Sequence, residues 1–286
     1  MLEGQKVVTA IEMARIEKLS LSEGASAEAY MQMAAEGIMQ GVKDFVERHH
    51  LEKKLTLLIG KGNNGGDAFL VGKLLLKEHF FIKAYHFFPL TECSPLCQKE
   101  AAAFLAEGGE LHFPEGVEEV HFFPHGAILD GLMGTGLKKD VEGLVLLAIE
   151  KASTSKLPIL AIDIPSGLCG NTGKAMPLAI KAKKTFFLGL PKIGFFLERG
   201  YDHIGALKGV DFGLDLKYLH AVHAEAHLIN EKSLPALLPP LLRTQHKYQA
   251  GYVCALASSP GMPGAGMLAT LAALRAGAGI VRLFHL

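Results

Sequence analysis

Three short stretches combine glycine with side chains able to hold a nucleotide, a cation or a proton in transit. They are Gly60-Lys-Gly62-Asn63-Asn64-Gly65-Gly66-Asp67, Asp130-Gly-Leu-Met-Gly134-Thr135-Gly136 and Asp163-Ile-Pro-Ser166-Gly167. Each follows an apolar run that reads as a strand, and in open α/β sheets ligands sit beyond the carboxyl ends of strands. In the first stretch, glycine lets the backbone approach a ligand, and the following helix N-terminus offers N–H donors to an anion such as pyrophosphate. Gly60, Gly62 and Gly65 spell the dinucleotide fingerprint, but the ribose-binding acid expected about 20 residues on is replaced by the run His86-Phe-Phe-Pro-Leu90. A structural Gly/Asn turn accounts for the same letters. Asn63, Asn64 and Asp67 add polar side chains that a plain dinucleotide turn does not require.

Asp130 and Asp163 repeat one arrangement, an acid where a buried strand ends, followed by a tight turn. Either could simply cap its turn. Two such acids in one sheet can also converge on one ligand. With the Ser166 hydroxyl and the Asn64 carbonyl they form an oxygen set suited to a hard cation.

The elements that must position these residues follow from periodicity. Thr9-Ala-Ile-Glu12 is a capping-box sequence that opens a helix through Met13 and Ile16. Ser26 caps a second helix, whose face carries Tyr30, Met33, Ala34, Gly37, Ile38, Gly41, Val42 and Phe45. Strands are expected at 55–59, 81–88, up to Asp130, 159–162, 185–188 and 210–212. Helices are expected after the glycine loop through Leu75, from Pro95 to Glu107, and from a cap at Asp140 through Ala148. Strands alternating with helices at this spacing mean βαβ units and a mainly parallel sheet covered on both faces. The proline-rich segment 232–243 reads as a boundary, followed by a new strand–helix–strand unit.

Lys plus Arg and Asp plus Glu balance at 29 each, so the basic excess expected of a nucleic-acid or anionic-membrane binder is missing. The start lacks a secretory pattern and no apolar run approaches the length of a membrane span, so a cytoplasmic location is the expectation. Cys93-x-x-x-Cys97, with His86 upstream, invites a metal reading. No second ligand pair at zinc-site spacing follows, so the expectation is reduced thiols. The thirteen histidines are scattered without a catalytic motif.

Taken in order, the three stretches resemble the NAD(P)H-hydrate epimerase family, the YjeF N-terminal domain family. The resemblance rests on Gly62-Asn-Asn-Gly-Gly-Asp67, Asp130 with Gly134-Thr-Gly-Leu137, and Asp163-Ile-Pro-Ser-Gly167. It extends to the opening Thr-x-x-Glu-Met helix and to Gly189-Leu-Pro-Lys192. It implies a Rossmann-like three-layer αβα sandwich over residues 1–225, acting on the R and S forms of hydrated NADH and NADPH (NADHX and NADPHX) as a homodimer. It further implies substrate contacts from Asn63, Asn64, Gly65, Gly66 and Asp67, from Gly134, Thr135, Gly136, Leu137, Lys138, Lys139 and Asp140, and from Asp163. Asp163 and Lys192 become the catalytic candidates, and Asn64, Asp130 and Ser166 the ligands of a potassium ion. Ala68 departs from the pattern, standing where the family usually has glycine.

Residues 226–286 resemble the opening of an NAD(P)H-hydrate dehydratase, a ribokinase-like α/β domain, through His246-Lys247, Gly251-Tyr-Val-Cys-Ala-Leu256, Pro263-Gly264-Ala265 and 272–279. Tyr248 and Ser258 replace glycines of that pattern, and the sequence ends before the fold's nucleotide loop and catalytic acid, so no dehydratase activity is expected. Two other readings of the first domain remain open from the residues themselves: an NAD(P)-dependent oxidoreductase, and a nucleotide-binding module without turnover.

Overall fold

Leu55, Leu57 and Ile59 alternate with Thr56 and Leu58 along one strand, and all five are buried. Side chains alternate across a strand, so a strand buried on both sides must lie between two layers. The computed structural model, which describes residues 5–135, 140–231, 233–240 and 242–285, shows those layers. The chain forms two compact units, one ending at Asn230 and the other beginning at Glu231.

The first unit begins with β1 (Gln5–Val7), α1 (Ala10–Ser22) and α2 (Ala27–Arg48). Then come β2 (Lys54–Ile59), α3 (Asn63–Lys77), β3 (Phe81–His86), α4 (Pro95–Ala106), β4 (Glu110–His112) and β5 (Ala127–Gly131). It continues with α5 (Gly143–Thr154), β6 (Ile159–Ile162), β7 (Lys184–Leu188), α6 (Gly200–Ile204), β8 (Ala206–Val210), α7 (Leu216–Ala221) and β9 (Ala226–Leu228). Seven strands form one sheet in the order β4-β3-β2-β5-β6-β7-β8, and every pair in it is parallel. On one face Ile38 and Val42 of α2, Phe69 of α3 and Phe104 of α4 pack on Leu55, Leu57, Leu129 and Phe186. On the other, Val145 and Ile149 of α5 pack on Leu58, Ile128 and Ala161. This is the expected three-layer αβα sandwich.

β1 pairs antiparallel with β9, outside the main sheet, matching Gln5 to Leu228 and Val7 to Ala226. β9 therefore belongs with the first unit, so the contact division falls five residues beyond the 225/226 boundary read from the sequence. The second unit contains α8 (Leu234–Leu237), β10 (Tyr252–Leu256), α9 (Gly264–Arg275) and β11 (Ile280–Phe284), with β10 and β11 parallel.

Three local expectations change. Thr9 does cap α1, its Oγ1 accepting from Glu12 N at 2.9 Å. The Glu12 carboxylate, however, turns to the Arg15 guanidinium at 2.7 Å and accepts from His223 N at 2.9 Å instead of closing the capping box. Asp140 caps nothing: α5 starts at Gly143, whose φ of 61° is open to glycine, with Glu142 at the N-cap. The strand expected at 210–212 is β8 at 206–210, because its pairing with β7 aligns Leu188 with Val210 and ends there. Among the described residues no helix is long and apolar enough to cross a membrane.

Candidate active site

From the centre of the sheet the chain runs β2-β3-β4 one way and β5-β6-β7-β8 the other, so strand order reverses between β2 and β5. That reversal opens a crevice at the carboxyl ends, where α/β proteins bind ligands. The glycine loop leaves β2 there. Gly60 N donates to Gly131 O at 3.1 Å, and a Cβ on Gly60 would stand 1.8 Å from Leu132 O. A Cβ on Gly65 would stand 2.0 Å from Gly60 O. These two glycines answer to the packing of the loop on itself and on the β5 loop, whereas a Cβ on Gly62, the N-cap of α3, would meet nothing within 4 Å. Of the three fingerprint glycines, Gly62 is the one whose surface is open to a ligand.

The loop after β5 is held by an oxygen-rich cluster. Asp130, fully buried, accepts from Ser166 N at 2.8 Å and from Leu132 N at 3.2 Å, and the Ser166 hydroxyl donates to it at 2.5 Å. Met133 N donates to Ser166 Oγ at 2.9 Å, and Asn64 Nδ2 donates to Met133 O at 2.8 Å. Thus Asn64, Asp130 and Ser166 meet around Met133. Burial pushes the Asp130 carboxyl up to about 6, against the lowering pull of its hydrogen bonds from Ser166 and Leu132. A fully buried carboxylate flanked by hydroxyl, amide and backbone oxygens is a donor set that fits a hard monovalent cation.

Asp163 stands directly after β6 with φ at 60°, a left-handed conformation costly for a residue with a Cβ. Its backbone N–H bonds Phe186 O at 2.8 Å, and its carboxylate accepts from Leu188 N at 3.3 Å. The same oxygen is ion-paired with the ammonium of Lys192, which is 0% exposed and also donates to Leu188 O at 2.9 Å. The backbone of Lys192 is pinned through its neighbours: Val8 N donates to Pro191 O at 3.0 Å, and Ile193 N to Val8 O at 2.7 Å. One residue on, Thr9 caps α1, so the segment that fixes Lys192 also aims α1.

Along α1 the residues Met13, Glu17 and Leu21 recur at four-residue spacing and all three line the cavity beside Asp163. Burial raises the Glu17 carboxyl, the Asp163 charge adds to this and Lys192 opposes it. Burial also pushes Asp67, in α3, well above its ordinary value, with Asp163 and Glu17 adding repulsion. The cavity therefore holds two carboxyls whose surroundings favour the protonated form beside one carboxylate engaged by an ammonium. Such opposed environments are what proton transfer needs.

Of the residues read from the sequence, Asn63, Asp67, Thr135, Asp163 and Lys192 line this cavity. Asn64, Gly65, Gly66 and Gly134 belong to the packed base of the two loops: Asn64 holds Met133, and a Cβ on Gly134 would sit 3.5 Å from the Asn64 side chain. Asp140 is exposed and is not among the lining residues. Gly136, Leu137, Lys138 and Lys139 lie outside the described residues. The apolar wall formed by Met13, Tyr30, Met31, Leu96, Leu188 and Phe212, and above all Glu17, was not anticipated. The signal for Glu17 was present: a carboxylate in line with Met13 and Leu21 on an amphipathic helix.

Fold and site together define a doubly wound α/β protein with an acid-lined cavity at the carboxyl ends of its strands. The family described as YjeF-related protein N-terminus matches residues 27–194, and the chain belongs to that family. Bifunctional NAD(P)H-hydrate repair enzymes are among its relatives. That of Moorella thermoacetica is 29% identical over 96% of this chain and 53% of its own length, and that of Escherichia coli is 32% identical over 79% and 43%. The chain thus spans about half the length of the relatives it matches. The crystal structure of the yeast protein YNL200c shares the fold, with a TM-score of 0.60 at 20% identity, over 71% of this chain and 87% of that one.

Proposed function

We propose that this chain is an isomerase that interconverts the R and S forms of NADHX and NADPHX. The observation that carries this reading is Asp163, held in a left-handed conformation and paired with buried Lys192, facing the same cavity as Asn63 of the glycine loop and Thr135. The hydrated nicotinamide carries a hydroxyl on a ring carbon next to nitrogen. Inverting that centre requires loss and return of the hydroxyl, or opening and closing of the ring, and both routes move a proton. Asp163 is the proposed general acid/base and Lys192 sets its charge and position. Asp67 and Glu17, whose carboxyls burial raises, line the same cavity.

In this reading Asn63, Asp67, Thr135 and Asp163, which line the cavity, contact the nucleotide, with Gly136 to Lys139 proposed to join them, while Asn64, Gly65, Gly66 and Gly134 shape the two loops. Potassium would be held by Asn64, Asp130 and Ser166, supplying a fixed positive charge between the glycine loop and the β5 loop. The active form is a homodimer in the cytoplasm. Incubation with one purified epimer, followed by chromatography, tests the function: appearance of the other epimer is expected. No conversion, or nicotinamide redox turnover instead, would reject it.

The second unit is proposed to be the opening of a dehydratase-like domain that does not act by itself here. Its described part has one βαβ unit, β10-α9-β11, and exposes Leu256, Leu268 and Phe284. Deletion after Ala236 is therefore expected to leave the epimerisation rate within about twofold, since every residue of the site lies in the first unit. With the S epimer, magnesium and ATP or ADP, the full chain should regenerate no NADH above a nucleotide-free control. Regeneration would show a working second enzyme.

A further inference from the structure

His86, Cys93 and Cys97, which the first-domain chemistry leaves unused, meet behind the glycine loop. Their ligating atoms lie within 4.8 Å of one another, and the three residues are 1%, 7% and 0% exposed. We propose that they form a binding site for a thiophilic divalent cation, zinc being the reference ion, distinct from the oxygen cluster at Asp130.

The geometry is that of a held ligand set. His86 ends β3, its ring stacked on Phe69 with centroids 5.7 Å apart and planes 13° from parallel. Its Nδ1 lies 2.6 Å from Phe88 O. Phe88 N lies 3.2 Å from the same Nδ1, and the Gly60 backbone also hydrogen-bonds the ring. In the tautomer that donates from Nδ1 to Phe88 O the Nε2 lone pair is free, the outer-shell arrangement that orients metal-binding histidines. Nε2 faces Cys93 Sγ at 3.4 Å. In a tetrahedral site with metal–nitrogen and metal–sulfur bonds of about 2.0 and 2.3 Å, neighbouring ligand atoms are about 3.5–3.8 Å apart. The pair therefore needs little rearrangement.

The sulfurs are fixed by the entry to α4. Cys93 closes the short turn Leu90–Glu92, and Ser94 caps α4, its Oγ accepting from Cys97 N at 3.3 Å. Pro95 occupies the first helical turn. Cys97 Sγ lies 3.7 Å from Gly60 O, so that carbonyl or a water can complete the coordination. Two sulfurs and one imidazole select soft or borderline ions over potassium, magnesium or calcium. On binding, both S–H bonds break, the two protons pass to solvent and the thiolates ligate the ion.

Such an ion would tie α4 to the start of the substrate loop. Cys97 backs this loop at a second point, because a Cβ on Gly66 would lie 3.3 Å from Cys97 Cα.

The test uses the full chain, reduced and stripped with a chelator. Zinc is titrated in competition with a chromophoric chelator, and cobalt is added separately as a spectroscopic probe. One equivalent should bind, with thiolate-to-cobalt charge-transfer absorption and a tetrahedral visible spectrum. C93S, C97S and H86A should each weaken binding at least about 100-fold, while C169S/C254S, which removes the other two cysteines, should bind as the parent does. Failure of the reduced chain to bind one equivalent would overturn the site, whether or not Cys93 and Cys97 had been found oxidised to a disulfide. Binding retained by C93S/C97S, or a cobalt spectrum without charge transfer, would do the same. Should the His86 or Cys variants not fold, the spectrum of folded C169S/C254S decides alone, since its sulfur signal can come only from Cys93 and Cys97.

Discussion

Asp163→Asn is expected to slow epimerisation by about 10²–10⁴-fold, the range for loss of a positioned general acid or base. The swap is nearly isosteric, and asparagine tolerates the left-handed φ of 60° at least as well as aspartate, so the backbone stays where it is. The amide oxygen can still accept from Leu188 N and from Lys192. What disappears is the negative charge beside a buried ammonium. An uncompensated buried charge costs about 3–5 kcal/mol. The melting midpoint should fall while the circular dichroism spectrum is retained. The rate must be read well below that midpoint and per mole of folded protein. Near-normal turnover under those conditions would remove Asp163 from the mechanism.

The second large effect is the response to potassium and its dependence on pH. Asp130 has a folded value of about 6 against an ordinary 3.8, so between these the native state binds more protons than the unfolded chain. In buffer without a coordinating cation, the stability associated with this raised value is present below about pH 4 and lost as pH rises through 6. The span amounts to roughly 3 kcal/mol, from about 1.4 kcal/mol per unit. A cation held by the carboxylate offsets the cost of ionisation and binds only the native site. The gain in melting midpoint on replacing sodium by potassium should therefore be small near pH 4.5, grow through pH 6 and level off above pH 7. Asp130→Ala should flatten both the pH slope and the potassium gain. It should also lower stability outright by leaving Ser166 N and Leu132 N without their acceptor, at about 1–3 kcal/mol each. A potassium gain unchanged in Asp130→Ala would abandon the site at Asn64, Asp130 and Ser166.

The sheet was legible in the sequence because its strands are buried on both faces: Leu55 to Ile59 and Ile159 to Ile162 are continuous apolar runs that few other structures accept. Asp130 and Asp163 were legible for the same reason, since each acid interrupts such a run at the strand end. Less visible was whatever depends on contacts far apart in the chain. Pairing with β7 sets the limits of β8, and Val8 fixes the backbone around Lys192 across more than 180 residues. Glu17 was passed over because a lone glutamate on a helix ordinarily reads as solvated, although its place in line with Met13 and Leu21 marked the face that lines the cavity with Asp163 and Lys192. The glycines of the first loop were read as making room for a ligand, but Gly60 and Gly65 instead make room for backbone carbonyls. His86 and the two cysteines lacked a second ligand pair in sequence, and it is the sharp turn at Pro89 and Pro95 that brings them together.

The clasp between β1 and β9 has a topological consequence. Because Gln5 lies opposite Leu228, the two extremities of the first unit emerge side by side. A short linker could join them and the chain be opened elsewhere, giving a circular permutant that keeps the sheet order. Pulled apart at the same two points, the unit would unzip bond by bond from that clasp rather than shear. Release of β1 would reach Val8 next and, through it, the backbone support of Lys192, so the buried lysine beside Asp163 is mechanically wired to the joint where the domain closes on itself.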